Sequence, residues 1–150
     1  MRRPLTLLLY AALSALPVSG SGASLWHNDA ATELPTVDQA FELQPAERIN
    51  GSVRITWLIG KGAYLYRERM HFESAEPAGG VLPAPQLPRG ETHHDDHFGD
   101  VHIYRSGLVT AEFPAGKLAR LRKLSVRYQG CAESGVCYPP QTRVLDLPAP

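Results

Sequence analysis

Alternation with a period of two residues constrains this chain more than anything else in it. From 52 to 59 the sequence reads SVRITWLI, which puts Val53, Ile55, Trp57 and Ile59 on one face and Arg54 and Thr56 on the other. Such a segment predicts a strand buried on one side. KLSVRYQ (123–129) repeats the pattern, with Leu124, Val126 and Tyr128 inward and Ser125, Arg127 and Gln129 outward. Shorter strands are expected at 37–43, 63–72, 101–105, 108–113 and 142–147. Turn chemistry separates them: Asn50-Gly51, Gly60-Lys61-Gly62, Ser106-Gly107 and Pro114-Ala115-Gly116 accept positive φ or preset a turn. The longest break, residues 76–91, holds four prolines and three glycines and reads as loop or edge strand. No amphipathic helix of ten residues and no internal repeat is visible. Seven or eight short strands at this spacing predict an all-β fold, an antiparallel β-sandwich of immunoglobulin-like type, with a small barrel as the competing architecture.

The opening residues bear on compartment. MRRPLTLLLYAALSALPVSGSGAS has two arginines, an apolar stretch from Leu5 to Val18, and then small residues. That order is the plan of a cleavable signal peptide over residues 1–23, with cleavage after Gly20 or Ala23. The apolar stretch is shorter than the roughly 20 residues that span a bilayer. Residues 24–150 then form one exported domain, led in by an irregular segment over 24–36 and long enough for its own core. Loss of Arg2 and Arg3 leaves 13 basic against 15 acidic residues. No basic excess remains to hold phosphate backbones, which argues against nucleic acid as a partner. Two cysteines in an exported chain predict one disulfide, and the pattern as a whole suits a bacterial periplasm.

Those cysteines, Cys131 and Cys137, stand in CAESGVCYPP. Read from the residues alone, the pair is a structural staple, a working dithiol or part of a metal clamp. As a staple it is modest: closing about seven residues is worth roughly 2.4 kcal/mol in the chain-entropy model, half the yield of a hundred-residue loop. It would also leave the two sheets uncrossed. A metal clamp wants closer spacing and two further ligands. Gly130 and Gly135 allow a sharp turn, and Pro139-Pro140 stiffens the exit. The pair is thus expected on a tight, accessible turn between strands, where disulfides are labile.

YQGCAESGVCYPPQTR (128–143), GAYLYRERM (62–70), HHDDHFGDVHIYR (93–105) and RITWLI (54–59) together resemble the N-terminal periplasmic domain of the DsbD family of thiol:disulfide interchange proteins. The resemblance covers most of the chain after the signal peptide, in the family's order. It implies an immunoglobulin-like sandwich with a redox-active Cys131/Cys137 pair and no cofactor. The implied electron donor is a membrane-embedded DsbD-type segment. The implied acceptors are thioredoxin-fold partners: isomerases of the DsbC and DsbG kind and a cytochrome c maturation thioredoxin. By motif, Cys137 would join the partner in a mixed disulfide and Cys131 would resolve it. A cap loop over the cysteines would correspond to Asp95-Asp96-His97-Phe98-Gly99. Here His97 stands at the family's usual cap phenylalanine and Phe98 at the aromatic that follows, so that either Phe98 takes over as lid, the reading favoured here, or His97 covers the site less well. Asp95 and Asp96 are expected to hold a nearby thiol pKa up.

Tyr64 and Tyr66 match tyrosines that line the site, although with period two they would serve equally as core. Tyr138 is expected on the docking surface. The chain ends without the membrane segments and the C-terminal thioredoxin domain of full-length DsbD, so it is expected to work as a relay and as a monomer. Two rival readings remain. One is an immunoglobulin-like binding module with an inert disulfide, distinguished by unreactivity toward a thioredoxin-fold reductant. The other is metal carriage by HHDDHFGDVH (93–102), which holds four histidines and three aspartates. It would show as stoichiometric zinc or copper uptake.

Overall fold

The computed structural model describes residues 34–116 and 118–150. The expected signal peptide and the lead-in up to residue 33 lie outside the described residues. Two antiparallel sheets build the domain. In the larger, β3 (Ser52–Tyr66) is central. It pairs along one side with β6 (Gly99–Phe113), which in turn pairs with β5 (Glu91–Asp95). Its other side carries β1 (Phe41–Leu43), β2 (Glu47–Ile49) and, at the far end, β8 (Gly130–Ala132). The smaller sheet runs β4 (His71–Glu76), β7 (Lys123–Tyr128), β9 (Gln141–Asp146). This is the immunoglobulin-like sandwich that the alternation predicted.

The core lies between the sheets and follows the period-two faces. Val53, Ile55, Trp57 and Ile59 from β3 meet Leu124, Val126 and Tyr128 from β7. Aromatic edges cross the gap: Trp57 to Tyr128 at 5.7 Å and Phe72 to Phe113 at 5.1 Å between centroids. Such edge-to-face pairs add to area burial because the ring quadrupoles are complementary.

Four expectations are corrected. Residues 37–43 are not one strand, since Val37–Ala40 form a helical turn before β1. Thr36 and Gln39 make a capping box there, with the Thr36 amide donating to Gln39 Oε1 at 2.8 Å and the Gln39 amide to Thr36 Oγ1 at 3.4 Å. Residues 63–72 are split by a 3-10 turn over Arg67–Arg69. Gly60-Lys61-Gly62 does not end a strand, and Ser106-Gly107 does not separate two. Both lie inside long strands, at a bulge where the β3–β6 register shifts between Ile59 and Tyr64. Gly62 (φ 77°) and Gly107 (φ 114°) take the conformations this demands.

Beyond the bulge both faces of β3 are covered. Ala63 and Leu65 point into the main core, while Tyr64 and Tyr66 point to the opposite side. There β8 closes against β3 with Tyr64 opposite Cys131 and Leu65 opposite Gly130. Gly130 is required by proximity. A Cβ at this position would lie 2.3 Å from the Tyr64 carbonyl oxygen and 2.5 Å from Phe41 Cζ. Gly130→Ala should therefore push β8 off β3 and destabilise the domain by about 1–3 kcal/mol, the usual range for overpacking. Equilibrium denaturation checks this, and wild-type stability in the variant would contradict the close approach.

Candidate redox site

The cysteines sit on the two arms of a tight hairpin. Ala132 N–H donates to Val136 O at 2.7 Å and Tyr138 N–H to Gly130 O at 3.0 Å. Cys131 and Cys137 face each other between these bonds, as an isolated antiparallel bridge. Pairs at such non-hydrogen-bonded positions bring their side chains closest. Their Cα atoms are 3.9 Å apart and the sulfurs are bonded as a disulfide. Glu133-Ser134-Gly135 makes the turn: Gly135 N–H donates to Ala132 O at 2.9 Å, and Gly135 adopts φ 90°.

Exposure divides the pair. Cys131 is fully buried (0% exposed), whereas Cys137 is exposed. The tight turn is as expected, but accessibility belongs to one sulfur only. The reason is the ladder: β8 lays Cys131 along β3, and among the described residues no strand pairs with the outer side of the return arm.

Around Cys131 the outward face of β3 forms a second apolar cluster of Tyr64, Tyr66, Val101 and Ile103, with Phe98 packed against it. The Tyr66 hydroxyl lies 3.2 Å from Cys131 Sγ and donates a hydrogen bond to Asp95. Burial, reinforced by that bond, pushes the Tyr66 phenol far above its ordinary pKa, so it is a neutral hydroxyl throughout the working range. A disulfide sulfur has no proton to give. A Cys131 thiol, by contrast, could donate to the Tyr66 oxygen and join a chain from sulfur to carboxylate.

Asp95 is only 7% exposed and ties the cap loop to this chain. Its Oδ1 accepts the amides of His97 at 2.8 Å and Phe98 at 2.9 Å. Burial acts to raise the carboxyl pKa, but the bonds from Tyr66, His97 and Phe98 outweigh it and hold the net value below the ordinary 3.8. Phe98 meets Tyr66 edge to face at 5.2 Å and is half-buried, while His97 and Asp96 are exposed. Of the two candidate lid aromatics, the one on the cluster is Phe98. Tyr64 packs edge to face on Tyr66 at 5.4 Å.

Tyr138 turns inward. Its ring meets Phe41 at 5.4 Å and its hydroxyl donates to Pro35 O at 2.7 Å, so the residue anchors the exit of the hairpin. The histidines of the cap region are dispersed. His93 lies against Tyr64, His94 Nδ1 is 2.8 Å from Asp100, and His102 Nδ1 is 2.9 Å from Glu68. Among the described residues, no three His, Cys, Asp or Glu side chains gather closely enough to hold a metal ion. Nor is any helix among them long and apolar enough to cross a membrane.

Sequence reasoning missed Arg105. Its guanidinium pairs with Glu133 in the cysteine turn and with Glu91 at 3.1 Å, and it lies 5.6 Å from the Tyr64 ring centroid. Nothing in a period-two reading links positions 28 residues apart.

The geometry defines a class: a β-sandwich domain presenting one local, half-exposed disulfide at its surface. Residues 31–149 match the family described as thiol:disulfide interchange protein DsbD, N-terminal, and the chain belongs to that family. It is 42% identical to the thiol:disulfide interchange protein DsbD 1 of Pseudomonas aeruginosa, over 98% of this chain and 25% of that protein. With DsbD 2 of the same organism the identity is 39%, over 97% and 24%. The chain thus spans about a quarter of the length of these curated relatives. Among solved structures it resembles the Neisseria meningitidis DsbD N-terminal domain in the reduced form. The two are 31% identical with a TM-score of 0.65, over 77% of this chain and 90% of that one. It also resembles a chain from the complex between the DsbD N-terminal and PilB N-terminal domains of the same organism (29% identical, TM-score 0.64, 76% and 87% covered). Thiol:disulfide interchange is therefore the chemistry of the family.

The Asp95 carboxylate makes a pH-dependent contribution to stability. Its folded pKa is depressed, so the contribution is present above the ordinary carboxyl value of 3.8 and is lost as pH falls through the folded value. Asp95→Asn should be less stable than wild type at pH 7, and the gap should close as pH drops below about 4. Denaturant titrations at pH 7 and pH 3 test this, and a gap independent of pH would count against it.

Proposed function

We propose that this domain is a periplasmic relay that passes two electrons from a membrane-embedded DsbD-type donor to oxidised thioredoxin-fold proteins through Cys131 and Cys137. Acceptors of the DsbC/DsbG isomerase kind and a cytochrome c maturation thioredoxin are the partners that the family resemblance implies. Export through residues 1–23 would deliver the domain to that compartment.

The observation that carries this reading is the inequality of the two sulfurs, Cys131 fully buried and Cys137 exposed. In the reduced domain the Cys137 thiolate attacks one sulfur of the partner's disulfide. A Cys137–partner bond forms, and the partner's other sulfur leaves as a thiolate and takes a proton. Cys131 then loses its proton and attacks Cys137 Sγ, which breaks the mixed disulfide and releases the second partner thiolate. The partner gains two electrons and two protons, and the domain is left as its disulfide. Exchange of this type needs a reachable thiolate for the first step and a near neighbour for the second. Phe98 acts as the lid over the Tyr66 side of the site. Asp95, linked to Cys131 through Tyr66, disfavours a thiolate nearby and keeps the reduced domain slow toward anything but a docked partner.

Cys131→Ala leaves Cys137 free. Incubated with an oxidised thioredoxin-fold isomerase, it should form a covalent adduct on a non-reducing gel, absent when Cys137 is also replaced. No adduct, together with an inert disulfide in the unmodified domain, would return the pair to a structural role and favour the binding-module reading. Thiol titration provides a second check. Asp95→Ala should lower the pKa of Cys131, and Asp96→Ala should lower it less because Asp96 is exposed. An unchanged pKa in Asp95→Ala would remove the carboxylate from the account.

A further inference from the structure

The 3-10 turn Arg67–Arg69, which interrupts what the sequence reads as one strand, aims a cation at the lid. Its other residues are tied down. Arg67 Nε donates to Pro88 O at 3.2 Å. Glu68 accepts from the His102 amide at 3.1 Å and lies 2.9 Å from its Nδ1. Met70, immediately after, is buried. The turn is a fixed platform, and Arg69 projects from it into solvent.

Arg69 has no carboxylate or carbonyl partner among the described residues. Its guanidinium instead sits 4.0 Å from the Phe98 ring centroid. Phe98 is therefore held on two sides: the Tyr66 ring edge-on at 5.2 Å, and the Arg69 cation over the ring. The backbone of the loop is fixed separately by Asp95, which leaves the side chain of Phe98 as the part that can swing. On its other side Arg69 lines a small notch with His71, Arg127, Gln129 and Pro140.

We propose that Arg69 is a positioning residue for disulfide exchange: it latches Phe98 onto Tyr66 and thereby keeps reagents away from Cys131, directing exchange to Cys137. The inference rests on the assignment of Cys137 as the sulfur that meets the partner. Phe98 and Tyr66 belong to the apolar cluster that buries Cys131. When the latch opens, that cluster loses its outer member and the resolving sulfur becomes reachable from outside. A cation–π contact at an exposed position is worth about 0.5–1 kcal/mol, so its loss should raise the open population roughly two- to five-fold.

The test isolates Cys131 in a Cys137→Ser background and follows its alkylation by iodoacetamide across pH. Fitting the profile separates the thiol pKa from the pH-independent rate constant of the thiolate. This matters because removing a nearby cation by itself raises the thiol pKa and slows the reaction. Arg69→Gln should raise the thiolate rate constant about two- to five-fold, the range set by the cation–π contact. Arg69→Lys, which keeps a cation, should fall between. In a Phe98→Ala background, where the lid is gone, Arg69→Gln should have no further effect. A rate constant unchanged by Arg69→Gln, or raised equally with and without Phe98, overturns the latch. The readout needs no partner, so failure of the latch is distinguishable from failure of the relay, which the mixed-disulfide gel reports.

Discussion

The pairing of β8 with the far half of β3 is the constraint on which the rest of the site depends. It is possible because Gly130 has no side chain where the Tyr64 carbonyl and the Phe41 ring already stand. From that contact the positions follow in sequence. Cys131 falls opposite Tyr64, Tyr66 brings its hydroxyl to Cys131 Sγ, and the hairpin returns Cys137 to the next position outward. Hydrogen bonds from Glu133 N–H to Gly62 O at 2.8 Å and from Tyr66 N–H to Gln129 O at 3.0 Å fasten the hairpin at both ends. A disulfide that adds roughly 2.4 kcal/mol by loop closure is not what holds this arrangement, since the ladder beneath it is continuous with the core.

That ladder makes the two sulfurs unequal, and inequality is what stepwise exchange requires. A pair buried together would resist reduction, and a pair exposed together would react with any thiol. Here one sulfur faces solvent and the other lies beside the Tyr66 hydroxyl in an apolar cluster, with the Asp95 carboxylate one hydrogen bond further on. The charged contacts nearby play a different part. Arg105, bridging Glu91 and Glu133, is partly exposed, and such pairs contribute little to stability. Its use is geometric: it holds the cysteine turn against the strand that also carries Val101 and Ile103. The large open groove elsewhere on the domain, lined by Leu58, Leu108 and Glu47, contains none of the residues of the redox site. Thiol exchange needs a reachable sulfur, not an enclosing pocket.

Much of the sandwich was legible because one-sided burial imposes a period that survives without knowledge of partners. SVRITWLI and KLSVRYQ show it, and both supply the core faces they predict. The misreadings have local causes. Residues 37–40 run apolar, polar, polar, apolar, so the alternation that marks a strand is broken there, and Thr36 and Gln39 cap a helical turn, a signal present in the sequence as T-x-x-Q. Gly60-Lys61-Gly62 and Ser106-Gly107 carry turn chemistry that a bulge uses equally well, and only the opposing strand distinguishes the two. Arg67–Arg69 offered no breaker residue at all. At the site, the cysteine pair and its tight turn are legible in the residues themselves, whereas its redox role, the tyrosines and the cap aromatics come from family resemblance. The inward turn of Tyr138 and the roles of Arg105 and Arg69 depend on residues far away in the chain.

By itself the sequence determined the fold class, the two inward faces and the hairpin that joins the cysteines, because each depends on neighbours within about ten residues. The tertiary structure alone decided which sulfur is exposed, which aromatic lies on Tyr66 and which carboxylate reaches the site. Those outcomes follow from the β3–β8 and β5–β6 registers, and a register is a relation between distant segments that no local pattern of residues encodes.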